Sequence, residues 1–141
     1  MLSQIDTHYL TKLFLARNLI RSKGALILAK RIYHFLKYVD LSYNPLENKG
    51  LKNICKARWP KLEKLKVNKV HATPEVLRYF NKYQGSMQSL EISFRHMSLK
   101  MLGNMPLFCS FSIIIELRAI DFPAELISVN SASKKKYLKF S

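Results

Sequence analysis

The feature that most restricts how this chain can fold is an apolar position that returns at a nearly constant interval. Leu13, Val39, Leu65, Leu90 and Ile115 occupy it, at intervals of 26, 26, 25 and 25. Two residues further on, every copy has a second apolar residue: Leu15, Leu41, Val67, Ile92 and Leu117. Three residues earlier stand Leu10, Leu36, Leu62 and Met87, and only Ser112 breaks that column. Chance alternation does not hold one phase over four intervals. The last copy has a rival register, in which Phe108, Phe111 and Ile113 keep the spacing but break the period.

The segments between these positions repeat as well. Ile20–His34 aligns without a gap to Leu46–Pro60, matching Gly24 with Gly50, Leu28 with Ile54, Ala29 with Cys55 and Tyr33 with Trp59. Leu51, Ile54 and Cys55 fall at i, i+3 and i+4, one face of a helix, and Ala25, Leu28 and Ala29 do the same one copy earlier. In the third copy Thr73 is placed to cap a helix that Pro74 begins, with Val76, Leu77 and Phe80 as its apolar face. Tyr33 and Trp59 are expected to pack between a helix and the next strand. The unit is therefore a short strand, a turn and a helix of two to three turns.

One such unit cannot bury its own leucines, and about three stacked copies are needed to form a continuous core. Strands a helix apart in sequence must pair in parallel. Strands lie about 4.8 Å apart, whereas helices are about 10 Å wide, so a stack of these units bends with its strands inside. Only nine residues precede Leu10, too few for a helical cap. An uncovered parallel edge invites aggregation, so the chain is expected to be a segment of a longer array or to have its end covered by a partner.

Leu10, Leu13, Leu15, Asn18 and Ile20 spell L-x-x-L-x-L-x-x-N-x-L, and Leu36, Val39, Leu41, Asn44 and Leu46 spell it again. This pattern resembles the leucine-rich repeat. The helical second half, with Gly four residues after the last apolar position, looks like the ribonuclease-inhibitor subtype. The resemblance spans Leu10 to Phe122. It implies an α/β solenoid, a curved right-handed β-α superhelix with parallel strands on its concave face. About five repeats would start near residues 10, 36, 62, 87 and 112, giving a repeat domain over 1–122 and a degenerate end with a basic tail over 123–141. In that family the Asn ties neighbouring turns by side-chain hydrogen bonds to backbone. Here its place is taken by Val70, Arg95 and Ile120 in the later copies, which implies less regular geometry beyond the second. The family mostly binds other proteins. Its arrays also serve as regulatory or substrate-recognition segments of larger proteins, such as ubiquitin-ligase receptors, GTPase-activating proteins and immune receptors.

Charge helps to choose among partners. The 141 residues carry 24 Lys and Arg against nine Asp and Glu, a net charge of +15, while the 48% apolar fraction excludes a disordered chain. The strand positions between the leucines form three columns on the expected concave face. They are Phe14, Asp40, Lys66, Glu91 and Glu116; Arg17, Tyr43, Lys69, Phe94 and Ala119; and Lys12, Tyr38, Lys64, Ser89 and Ile114. These columns are mixed in sign, with aromatics inserted. A nucleic-acid groove needs uniform positive charge, and Asp40, Glu91 and Glu116 would repel phosphate. The reading therefore favours a protein partner, held by Phe14, Arg17, Tyr38, Asp40, Tyr43, Lys64, Lys66, Lys69, Glu91 and Phe94. The alternative is electrostatic binding of RNA or an acidic membrane surface. It would use the bases between the strands (Arg21, Lys23, Lys30, Arg31, Lys49, Lys52, Lys56, Arg58 and Lys61) and a solubilising tail with Lys134, Lys135, Lys136 and Lys139.

Catalysis, metals and cofactors find no motif. His8, His34, His71 and His96 occupy unrelated repeat positions, and no Gly-rich phosphate loop is present. Cys55 and Cys109 belong to no CxxC or Cys/His cluster and read as free thiols of a reducing compartment. The N-terminus lacks the basic start and apolar block of a signal peptide. The longest uncharged stretch, Met101–Ile115, is shorter than the roughly 18 apolar residues of a membrane span. The expectation is a soluble, non-enzymatic binding protein of the cytoplasm, with the nucleus as the other compartment.

Overall fold

Leu13, Val39, Leu65 and Leu90 lie side by side on neighbouring parallel strands, with Leu13 opposite Val39, Val39 opposite Leu65 and Leu65 opposite Leu90. The computed structural model describes residues 8–81, 83, 86–94, 111–117 and 136–140. In chain order these hold β1 (Lys12–Phe14), α1 (Ser22–Lys30), β2 (Tyr38–Asp40), α2 (Glu47–Ile54), β3 (Lys64–Val67), a 3-10 turn (Pro74–Val76) running into α3 (Leu77–Phe80), then β4 (Ser89–Ser93), β5 (Ser112–Leu117) and β6 (Lys136–Phe140). The six strands form one sheet in sequence order, and every adjacent pair is parallel. The molecule is α/β, with helices between the early strands as crossovers.

The core follows from the two alternations. Leu36, Val39 and Leu41 are fully buried, as are Leu62, Leu65 and Val67, while Tyr38, Lys64 and Lys66 between them stay partly exposed. Ala25 and Leu28 of α1 and Leu51 and Ile54 of α2 close the core from the helical side. Tyr33 and Trp59 are buried as expected, ring edge to ring face at 6.1 Å. The indole Nε1–H donates to the Arg31 carbonyl at 3.2 Å. The matched glycine at position 50 has a steric reason. A Cβ there would stand 2.9 Å from Leu46 Cβ and 3.5 Å from Ser22 Cα, so a side chain would push α2 away from the start of α1.

Asn44 ties the first two copies together. It is 1% exposed. Its Oδ1 accepts from the Asn18 and Ile20 amides at 2.9 Å each, and its Nδ2 donates to the Leu15 and Leu41 carbonyls at 2.7 and 2.9 Å. The Asn18 side chain has no such role; it is exposed, and its Nδ2 donates to the nearby Ala16 carbonyl. In the third copy Val70 occupies the place and is fully buried. The strand register is nevertheless unbroken through β4. Serines supply the missing ties: Ser42 Oγ accepts from the Asn68 amide at 3.1 Å, and Ser93 Oγ from the Lys69 amide at 2.7 Å.

The turns after the strands repeat a backbone conformation that composition did not announce. Arg17, Tyr43 and Lys69, at the same place in three successive copies, have φ of 62°, 58° and 54°. Leu19 and His71 are also left-handed, but Pro45 stands at the equivalent place and its ring forbids that conformation. In that copy the second left-handed residue, after Tyr43, is Glu47 instead, at φ 58°.

Four expectations are corrected. Leu90 pairs with Ile113, two positions short of the expected Ile115, and Ile115 pairs with Ile92. A slip of two keeps every side chain on its own face, so alternation alone could not choose between the registers. The register taken also buries Phe111, whose ring meets Tyr83 edge-on at 6.4 Å. Second, Lys136–Phe140 is no tail but an edge strand, with Ile113 opposite Lys136 and Leu117 opposite Phe140. Its lysines read as solvated charge, yet a strand's backbone pairs whatever its side chains carry. The sheet thus runs past residue 122. Third, the third helix is a 3-10 turn and a single α turn rather than two to three turns. Fourth, Thr73 makes no side-chain cap; its Oγ1 accepts from Asn48 Nδ2 at 2.7 Å, tying this segment back to α2. The expectations at Arg95, His96, Phe108, Cys109, Ala119, Ile120, Lys134 and Lys135 concern residues outside the described ones.

Candidate functional site

The strands place alternate residues on the face away from the core, where pairing brings successive copies of each column next to one another. On β1 and β2 the Phe14 and Tyr38 rings lie 5.1 Å apart. Phe14 is 64% exposed, a large apolar area for a side chain with no structural need to be outside. Above this pair, the left-handed turns carry Arg17 and Tyr43. The Arg17 guanidinium sits 4.2 Å over the Tyr43 ring, close enough for a cation–π contact. Tyr43 remains 47% exposed.

The β3–β4 half has a different chemistry. Glu91 is flanked by two lysines, with Lys64 Nζ at 2.6 Å from Oε1 and Lys66 Nζ at 3.3 Å from Oε2. Burial alone would raise the Glu91 pKa, but hydrogen bonds and attraction from Lys64 and Lys66 outweigh it and hold the carboxyl below its usual range. Burial likewise opposes the charged form of Lys66, and Glu91 overcomes it, so the ammonium titrates above its usual range. Asp40 is committed to structure as well, its Oδ1 accepting from the Ser42 amide at 2.9 Å. Lys69 is half-buried in its turn, with its amide on Ser93 Oγ.

Two residues leave their expected places. Phe94 is 9% exposed and belongs to the core, because it continues the inward face of Leu90 and Ile92, four and two residues before it. Glu116 does not follow Glu91 in the first column; Ile114 stands opposite Glu91 instead. Burial of Phe94 removes area from the fourth row. Among the described side chains, the aromatic and ionic halves on β1 to β4 are the main exposed chemistry of the face.

One further group escaped the sequence reading although the period contained it. Tyr9, Phe35 and Lys61 stand at one position of successive copies, just before the strands. The Tyr9 and Phe35 rings stack at 6.0 Å and 19°, and Lys61 Nζ lies 4.7 Å over Phe35. His8 and His34, one residue earlier in each copy, approach to 5.5 Å. Reading the columns three residues further upstream would have found this ladder.

Catalytic and metal chemistry have no comparable assembly among the described residues, where no three His, Cys, Asp or Glu side chains gather to hold an ion. The Cys55 thiol is pushed up by burial, away from the thiolate that reacts. Among the described residues no helix is long and apolar enough to cross a membrane. No family model matches the sequence, and no curated protein matches it either.

Proposed function

We propose that the chain is a leucine-rich-repeat solenoid of the ribonuclease-inhibitor-like kind, and that it binds a protein partner, without catalysis, on the concave face of its strands. The observation that carries this reading is the division of the strand face. Phe14, Tyr38, Tyr43 and Arg17 form an exposed aromatic and guanidinium surface, and Glu91 beside them already neutralises part of the charge of Lys64 and Lys66. Tyr and Arg are the residues that most often dominate protein–protein binding energy, because they bury large areas yet retain polar handles. A polyanion would gain little from lysines occupied by a carboxylate and would be repelled by it. The parallel order of the strands and the Asn44 ties between turns support the solenoid form.

The test is capture of a partner from native lysate by the full chain and by a Tyr38→Ala, Tyr43→Ala double variant. The expected result is a specific protein retained by the first and lost, by about tenfold or more in affinity, by the second, with circular dichroism unchanged. Equal retention by the double variant and by a Phe14→Ala, Arg17→Ala variant would refute it.

A further inference from the structure

A second surface lies where the C-terminal ends of α1 and α2 and the residues that follow them meet. Leu26, Ala29, Lys30, Ile32, Asn53, Lys56 and Arg58 line an open groove of about 310 Å³ there. Its two walls differ in kind. The wall from α1 and the segment after it is aliphatic apart from Lys30, and Leu26 and Ile32 are 41% and 51% exposed. The wall from the end of α2 and the segment after it is cationic, with Lys56 and Arg58 both exposed. No Asp or Glu is among the lining residues.

The repeat itself shows that this apolar wall is not required by the fold. Shifting by one copy, Leu26 corresponds to Lys52, Ile27 to Asn53 and Ile32 to Arg58. The exposed positions that the second copy fills with Lys52 and Arg58 are filled in the first with Leu26 and Ile32. Solvent exposure of two such side chains brings no stability.

We infer that this groove binds an acidic amphipathic peptide segment of a partner protein, its aliphatic or aromatic side chains against Leu26, Ala29 and Ile32 and its carboxylates against Lys56 and Arg58. Charge complementarity selects the acidic segment, since the groove offers cations and no competing carboxylate. The aliphatic wall selects against phosphate-rich ligands. A nucleic acid would satisfy Lys56 and Arg58 but leave Leu26 and Ile32 in water. A flat anionic bilayer would not fill a recess between two helices. The volume suits one or two inserted side chains, not a folded domain. This site is independent of the strand face and stands whether or not that face binds a partner.

The experiment is an anisotropy titration of the full chain against a labelled short peptide that alternates Leu or Phe with Asp and Glu. An identical peptide with Asn and Gln in place of the acids, a single-stranded RNA homopolymer, and vesicles of phosphatidylserine and phosphatidylcholine serve as the other arms. The acidic peptide is expected to bind, and the amide peptide to bind about tenfold or more weakly. Lys56→Glu with Arg58→Glu should weaken the acidic peptide about tenfold. Leu26→Ser with Ile32→Ser should weaken it several-fold, and Tyr38→Ala with Tyr43→Ala should leave it unchanged. Both charge-reversed positions are exposed, so the fold survives; Lys30 is left intact because a cation in the last turn of α1 also stabilises the helix. Equal binding of the two peptides, or insensitivity to either groove variant, overturns the site. Preferential binding of the RNA or the vesicles, lost in the charge-reversed variant, overturns the peptide as its occupant.

Discussion

Replacing Asn44 by Ala should be among the most damaging single changes in this protein, and replacing Asn18 should be nearly silent. The two occupy the same position of successive copies. Asn44 is buried and satisfies two amides and two carbonyls of the backbone, those of Asn18, Ile20, Leu15 and Leu41. Truncation to Ala leaves all four without that partner. The Asn18 amide lies on the surface and can turn to water at little cost. The Ile20 amide and the Leu15 carbonyl are half-buried, and the Leu41 carbonyl lies inside. With each of these three groups costing about 1–3 kcal/mol, the loss should be at least about 3 kcal/mol. That is a large share of the roughly 5–15 kcal/mol that a domain commands. Asn18 is exposed and donates once, so Asn18→Ala should cost about 0.5 kcal/mol or less. Urea denaturation followed by circular dichroism measures both. A stacked array can unfold in parts, so amide hydrogen exchange should be read alongside. Protection should fall at Ile20 and across β1 in Asn44→Ala, and at neither in Asn18→Ala. Equal losses for the two variants, or retained protection at Ile20, would refute the reasoning.

Gly50→Ala should destabilise by about 1–3 kcal/mol in a thermal or urea melt, because its Cβ would meet Leu46 Cβ at 2.9 Å in the core, outweighing the roughly 0.5–1 kcal/mol that Ala gains in a helix. Gly24→Ala, whose contact at 2.9 Å is Cγ2 of half-buried Ile20 alone, should destabilise less than Gly50→Ala by the same assay, because Ile20 has an exposed side toward which to turn. The Glu91 carboxyl is held below its usual range, so its contribution is present above the ordinary carboxylate pKa of about 4 and should fade as pH falls through the lowered value. Lys66 is raised, so its share is complete below the ordinary lysine value of about 10.4 and should fade as pH rises through the raised one. Glu91→Gln should remove the pair's share of both arms of the stability–pH curve, and an unchanged curve would count against the ion pairs. Lys69→Asn should stabilise by about 0.5–1 kcal/mol, since Asn tolerates the left-handed turn better than Lys; a lower melting temperature would contradict the backbone argument.

How far the sequence could be read depended on what kind of spacing carried the information. Leu13, Val39, Leu65 and Leu90 were legible as one row because burial demands an apolar residue at the same place in every stacked copy. Phe14 and Tyr38 followed from that row by alternation and Arg17 and Tyr43 from the period, and each pair does lie together. Phe94 shares the column of Arg17 and Tyr43 but keeps the inward side of Leu90 and Ile92, so the column misplaced a residue that alternation puts in the core. The ion pairs of Glu91 with Lys64 and Lys66 could be suspected from the columns but not assigned, since only the side-chain geometry chooses the partners. The groove of Leu26, Ile32, Lys56 and Arg58 was invisible because its walls come from two helices whose outward faces follow no apolar period.

Sequence alone determined which repeat positions line the core, that strands and helices alternate, and that the strands pair in parallel. A repeated unit offers its apolar face only to its own copies, and each crossover is too long for a hairpin. Only the tertiary structure decided the two-residue slip of β5, the pairing of β6, and the serine ties that replace asparagine after the second copy. Those outcomes compare arrangements that bury the same faces equally well. What separates them is backbone hydrogen bonding and contact between residues distant in the chain, which no local pattern records.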